Sequence, residues 1–210
     1  LTNIGGGGFM VIRLADGTKT TIDFRETAPQ KASRDMFLDE NGDIIEGKSW
    51  STSWASGVPG SVAGFGLAHE EFGTLKWSQL IDSSIQLARD GYSLNYNDAN
   101  SFNRYNDFLT KDSVTRTIFV RDEEFKTGDI LVQRNLASTL ERISRAGWEE
   151  FYTGKTADLI QKCMERTDGL ISKNDLKNYI AVQRDPITFS YRDHIVYSMP
   201  PASSGGIALA

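Results

Sequence analysis

An α+β fold with a helical insertion is what this sequence predicts, and three patterns predict it. The first forty residues read as strands and turns. Residues from about 60 to 179 carry apolar positions three and four apart. Strand-like alternation returns after Pro186. Strands, a helical block, strands and a closing helix make a mixed sheet-and-helix domain. The expected segments are 1–59, β-rich; 60–180, mainly helical; and 186–210, a hairpin and the start of a helix.

Phe9 to Leu14 reads as a strand, and Ala15-Asp16-Gly17-Thr18 supplies an Asp-Gly turn suited to a tight hairpin. Thr20 to Phe24 returns with Ile22 and Phe24 on one face, because successive strand side chains point to opposite faces. Asp39 to Asp43 opens like a calcium loop. Ile44 stands where such a loop needs glycine and Trp50 where it needs glutamate, so a plain turn is expected.

Ser78 to Arg89 places Leu80, Ile81, Ile85 and Ala88 on one helical stripe ending at Gly91. Ala99, Phe102, Tyr105 and Leu109 form a second stripe, and Leu136, Leu140 and Ile143 a third that stops at Gly147, which suits a C-terminal cap. Ala157, Ile160 and Met164 mark a fourth, with Cys163 beside it as a buried small apolar residue. Ser172 with Asp175 three later resembles a capping box. Ile187, Phe189 and Tyr191 alternate, Arg192-Asp193 turns, and Ile195 and Tyr197 alternate back. Pro200-Pro201 then stops the strand, and Ser203 to Gly206 opens a further helix.

Composition excludes several classes of function. The 210 residues are 39% hydrophobic and 24% charged, ordinary for a soluble globular protein. With 23 basic against 28 acidic side chains the net charge is −5, against a nucleic-acid partner, which favours a basic excess. Apolar runs such as Phe9 to Ile12 fall far short of the roughly 20 residues that span a bilayer. One cysteine and two histidines cannot build an internal disulfide or a Cys- or His-rich metal centre. A first residue of leucine and an apolar finish at Ile207 to Ala210 suggest a piece of a longer polypeptide.

Four motifs are candidates for chemistry. Gly5 to Gly8 precedes a strand instead of joining a strand to a helix, which argues for close backbone approach over phosphate binding. Gly57 to Gly64 does not match a nucleophile elbow, since Gly60 and Ser61 are adjacent; a loop entering a helix is expected. Neither histidine is placed to serve as a base: His69 is expected on a solvated helix face and His194 beside a hairpin turn. Arg25 closes a strand, where a guanidinium can hold a carboxylate bidentately. A structural ion pair with Asp23 or Glu26 would satisfy the same chemistry.

Read together, the segments resemble one family. Asn3 to Met10, Asp23 to Pro29 with its Arg25-Glu26-Thr27-Ala28-Pro29, and Arg34 to Asp39 are similar to bacterial γ-glutamyltranspeptidase. So are Gly57 to Gly64, Lys155 to Tyr179, Tyr191 to Asp193, and Tyr197 to Gly206 with its Ser198-Met199-Pro200-Pro201 and Ser203-Ser204-Gly205-Gly206. The resemblance spans essentially the whole chain, and the order of motifs makes it specific.

The resemblance implies an N-terminal-nucleophile hydrolase, an αββα sandwich of which this chain is part of the large subunit. It implies a proenzyme (a zymogen) that cuts itself into a large and a small subunit, which remain a heterodimer. The small subunit's new N-terminal threonine would attack the γ-glutamyl amide of glutathione or a related donor, with its own α-amine as base. Amino acids, peptides or water would then accept the γ-glutamyl group. Oxyanion donors and amine-binding acidic residues would also lie in the small subunit. Arg25 matches the arginine that grips the donor's α-carboxylate. Thr2 does not sit in a cleavage-site context, so no catalytic residue is expected in this chain, which should be inactive alone. No metal or organic cofactor is implied, and the compartment would be periplasmic or extracellular. A poly-γ-glutamate depolymerase or cephalosporin acylase of the same fold, or an inactive binding protein of the family, are the other readings.

Overall fold

The first hairpin forms where the sequence expects it, and its second strand is buried on both faces. A computed structural model describes residues 3–210; Thr2 lies outside the described residues. Strands β1 (Phe9–Arg13) and β2 (Lys19–Asp23) pair antiparallel in the register Phe9↔Asp23 to Arg13↔Lys19. Gly17 takes a φ of 92° in the turn, a conformation glycine reaches without strain. Ile22 is completely buried, worth about 1.5–3 kcal/mol for a side chain of this size. Thr21, on the opposite face, is equally buried, and its hydroxyl donates to the Arg184 carbonyl at 2.9 Å. That carbonyl belongs to β5 (Val182–Arg184), which pairs antiparallel with β2 and makes it the middle of a three-stranded sheet. Three exposed residues leave no alternation in the sequence, so β5 was not expected.

The Asp39 turn closes on itself. Its carboxylate accepts the Asn41 and Asp43 amides at 2.9 Å each. After it come a one-turn helix α1 (Lys48–Ser51) and a 3₁₀ turn (Ser53–Ala55). Helix α2 (Ser61–Phe72) follows the Gly57 to Gly60 loop, as expected.

Two compact units divide the chain: residues 1–74 with 146–210, and residues 75–145. The second is built from α3 (Trp77–Asp90), β3 (Tyr92–Ser93), α4 (Tyr96–Arg104), α5 (Asn106–Leu109), α6 (Ser113–Phe119), β4 (Ile130–Leu131) and most of α7 (Arg134–Ala146). The apolar stripes enter its core only in part: Ile85, Ala88, Ala99, Leu140 and Ile143 are buried, joined by Ala137, whereas Leu80 and Tyr105, expected on the same stripes, are exposed. The Trp77 indole donates to the Ile143 carbonyl at 3.0 Å. Local signals start its helices, with the Asn95 side chain capping α4 and Asp112 capping α6. The stripe read through Tyr105 is two helices, because the backbone leaves helical geometry there (φ −101°, ψ 17°). Strands β3 and β4 pair antiparallel and are too short to show a pattern in sequence.

In the first unit the remaining elements are α8 (Glu150–Thr153), α9 (Lys155–Arg166), α10 (Lys173–Lys177), the hairpin β6 (Ile187–Tyr191) and β7 (His194–Ser198), and α11 (Gly205–Leu209). The hairpin runs in register from Ile187↔Ser198 to Tyr191↔His194, with Arg192 left-handed at its turn. The expected capping box at α10 is present, with the Ser172 hydroxyl accepting the Asp175 amide at 3.2 Å. Cys163 is half-buried, not buried, because it sits at the edge of its stripe within reach of the Arg166 guanidinium. His69 is also half-buried, and not on a solvated face, because the chain folds back against its ring at Gly73.

Candidate functional site

Arg25 follows β2 at the point where the strand leaves the sheet, and the structure holds it at three places. Its amide donates to the Asp23 carboxylate at 3.2 Å. Its carbonyl accepts from the Tyr179 hydroxyl at 2.8 Å. Its guanidinium is exposed and donates through Nη1 to the Ala202 carbonyl at 3.3 Å. The ion pair considered from sequence is not the one formed: Asp23 pairs with the Arg184 guanidinium across the strands at 3.1 Å. One of the five N–H donors of Arg25 thus goes to a carbonyl, and a carboxylate could engage the fork.

Three sequence-distant segments pack around this strand end. Gly8 and Phe24 exchange backbone hydrogen bonds at 3.2 and 3.0 Å, extending the ladder of β1 and β2. The Gly6 carbonyl accepts the Gly60 and Ser61 amides at 2.8 and 2.9 Å, using donors that α2 leaves free at its start. Thr27 and Val58 exchange a further pair. The glycines here are required by contact. A Cβ on Gly7 would lie 2.5 Å from the Phe24 carbonyl oxygen and 2.7 Å from the Glu26 amide nitrogen. A Cβ on Gly60 would overlap the Phe24 carbonyl oxygen and the Tyr179 hydroxyl, and one on Gly64 would enter the Phe24 ring. Both glycine motifs give clearance to the Phe24 to Glu26 segment; for Gly5 to Gly8 this is the reading expected over phosphate binding, and Gly57 to Gly60 is the expected loop into α2.

Beneath the strand end lies a tyrosine pair. Tyr152 and Tyr179 stack with ring centroids 5.7 Å apart and planes 12° from parallel. The Tyr152 hydroxyl donates to the Pro59 carbonyl at 2.9 Å and accepts the Ala63 amide at 3.1 Å. Burial pushes both phenols well above their ordinary range. For Tyr179 the charges of Asp23 and Glu26 add to this; for Tyr152 the Ala63 amide opposes it. Both therefore stay protonated and able to donate at neutral pH. Sequence reasoning gave neither tyrosine a role. Tyr179 ends the Lys155 to Tyr179 segment, and its position there was the one available signal.

Above the strand end is an open cleft of about 520 Å³. Gly5, Arg25 and Glu26 line it with Phe37 and Trp54, so it joins a charged wall to an aromatic one. The Trp54 indole donates to Asp168 at 3.4 Å and faces the Lys48 ammonium at 3.7 Å. His69 and His194 are not among the lining residues. Among the described residues no cluster of His, Cys, Asp and Glu could hold a metal, and no helix is long and apolar enough to cross a membrane.

Known proteins share the sequence and fold of this chain. The family model described as Gamma-glutamyltranspeptidase matches residues 1–210. A glutathione hydrolase proenzyme of Escherichia coli is 48% identical over 207 residues, 98% of this chain. Among solved structures, Helicobacter pylori γ-glutamyltranspeptidase superposes with a TM-score of 0.96 at 42% identity, over 99% of this chain and 60% of that one. A Bacillus halodurans cephalosporin acylase superposes with a TM-score of 0.77 at 21% identity, over 94% of this chain and 38% of that one, a likeness of fold alone. These neighbours bear out a mixed helix-and-sheet fold of the N-terminal-nucleophile hydrolase type. The chain spans 36% of the length of the Escherichia coli proenzyme.

Proposed function

This chain belongs to the γ-glutamyltranspeptidase family, and from that premise we propose that it is the large-subunit part of a γ-glutamyl transferase and glutathione hydrolase. Its partner is the small subunit of the same precursor, which carries the nucleophilic threonine. The threonine hydroxyl adds to the γ-amide carbonyl as its proton passes to the threonine α-amine. Collapse breaks the C–N bond, and that proton leaves with the departing amine. An amino acid, a peptide or water then takes the γ-glutamyl group from the acyl-enzyme. No cofactor takes part, and the mature protein is periplasmic or secreted. The name proenzyme on the Escherichia coli relative supports processing.

Arg25 carries the part of the reaction assigned to this chain. A γ-glutamyl donor bears an α-carboxylate beside the amide that reacts, and recognition needs a fixed cation. Arginine suits this better than lysine, because its planar fork meets both oxygens. The observation that carries the reading is the exposed fork of Arg25 on the wall of an open cleft, with its backbone tied at both ends.

The test is kinetic, in the full-length, correctly processed protein. Arg25→Ala strands the donor carboxylate, a loss of about 2–5 kcal/mol, so kcat/KM should fall by roughly tens to thousands. Arg25→Lys should recover only part. A donor lacking its α-carboxylate should be almost indifferent to both changes. Equal losses on the two donors would return Arg25 to a structural role. Residues 1–210 alone should release no product from a chromogenic γ-glutamyl amide.

A further inference from the structure

We propose that Tyr179 is a positioning residue for donor recognition, acting through the Arg25 backbone. This rests on the assignment of Arg25 to the α-carboxylate. Arg25 lies beyond the last residue of β2, so the ladder does not fix its carbonyl. The Tyr179 hydroxyl does, at 2.8 Å. That hydroxyl has little freedom of its own. Tyr179 is 8% exposed, its ring is stacked on Tyr152, and Tyr152 is pinned to Pro59 and Ala63 at the start of α2. Gly60 leaves the space in which the Tyr179 hydroxyl and the Phe24 carbonyl meet. The Tyr179 hydrogen bond therefore ties the Arg25 carbonyl itself, through the tyrosine pair, to the start of α2.

The chemistry of the contact favours positioning over catalysis. A phenol held protonated by burial is a steady donor and a poor proton shuttle. It touches a main-chain carbonyl and lines no part of the cleft. Its loss should let the Arg25 peptide turn and misalign the fork, which weakens donor binding while the chemical step at the small subunit's threonine persists.

Tyr179→Phe in the processed full-length enzyme keeps the ring and its stacking and removes only the donor. KM for a γ-glutamyl donor should rise roughly five- to tenfold, the scale of one lost buried hydrogen bond, with kcat within about twofold. KM for the donor lacking its α-carboxylate should not move. In an Arg25→Ala background Tyr179→Phe should add nothing. Replacing Tyr179 by 4-aminophenylalanine, which restores an N–H donor at the same place, should restore KM. Tyr152→Phe keeps the stacked ring but removes the two hydrogen bonds that pin it to the start of α2, so it should lower thermal stability and raise KM for the γ-glutamyl donor less than Tyr179→Phe does.

No change in KM, or equal losses on both donors, would overturn the proposal. So would a Tyr179→Phe enzyme that fails to mature while the 4-aminophenylalanine enzyme matures, because the hydroxyl would then serve the fold. If Arg25→Ala separates the two donors and Tyr179→Phe does not, this inference falls and the assignment of Arg25 stands. If neither separates them, the assignment falls and takes the inference with it.

Discussion

Residues 75–145 and the strand end at Phe24 to Glu26 are held by opposite means. In the first region neighbouring helices bury aliphatic stripes, local caps start the helices, and the ion pairs lie at the surface, such as Arg89 with Glu141 and Arg121 with Asp129. In the second, backbone packs on backbone through glycines, and two buried hydroxyls hold segments more than eighty residues apart in sequence. The first arrangement tolerates small adjustments of volume and geometry. The second does not, because a carbonyl in a ladder cannot step aside. A site that must hold one guanidinium in one place is better served by the second.

Gly60 should break the comparison most sharply. A Cβ there meets a main-chain oxygen and a hydroxyl that is itself anchored, so neither neighbour can yield. Gly60→Val should cost at least the upper end of the ~1–3 kcal/mol typical of overpacking. The expected outcome is a precursor that accumulates unprocessed or insoluble, read on a denaturing gel. Gly17, with open space around its Cβ position and a left-handed turn conformation, is the control. Gly17→Asn should process normally, since asparagine tolerates that conformation. Normal processing of Gly60→Val would mean the strand end adapts as the helices do.

Ile143 tests the other region. It is 2% exposed on α7, and the Trp77 indole bonds its carbonyl, which a side-chain change leaves in place. Ile143→Ala should cost about 2–5 kcal/mol through lost contacts and a cavity, and Ile143→Val about 0.5–1.5 kcal/mol. Chemical denaturation of the purified protein gives both values. Donor selectivity should not change in either variant, because nothing about Arg25 depends on that stripe. A selective loss on γ-glutamyl donors would erase the distinction between the regions.

The same difference explains what could be read from sequence. Helices α3, α7 and α9 announce themselves by stripes and by stops such as Gly91 and Gly147, both with positive φ. The hairpins at Gly17 and Arg192 are local too. The partner of β2, by contrast, is a three-residue strand 160 positions away with every residue exposed, and no window of sequence contains both. Gly60 reads as a loop glycine until Phe24 and Tyr179 are seen above it. Arg25 could be singled out by type and by resemblance. That the guanidinium of Arg184, and not that of Arg25, pairs with the Asp23 carboxylate depends on sheet register, which motif spacing does not encode.

Asp175 gives the smallest expected effect and shows how polar clamps near the strand end respond to acid. Its Oδ1 accepts the Gln30 amide at 2.7 Å, just past the Arg25 to Pro29 segment. Its Oδ2 accepts the Ser172 amide at 2.8 Å and the Ser172 hydroxyl at 2.5 Å. Burial by itself would raise the carboxyl pKa. The bonds from Ser172 and Gln30, with the charge of Lys31, outweigh burial and hold it below the usual range. A carboxyl depressed on folding adds stability above its unfolded value near 3.9 and loses it as pH falls through the folded value. Asp175→Asn keeps the shape but turns one oxygen into a donor, so either Gln30 or Ser172 faces N–H against N–H. That should cost about 1–3 kcal/mol at neutral pH and flatten the acid limb of the stability curve below about pH 4. Hydrogen exchange at the Gln30 and Ser172 amides localises the effect: both should be protected in the parent protein and at least one lost in Asp175→Asn. Exchange unchanged at both amides would mean that the capping turn, not the carboxylate, ties this segment down.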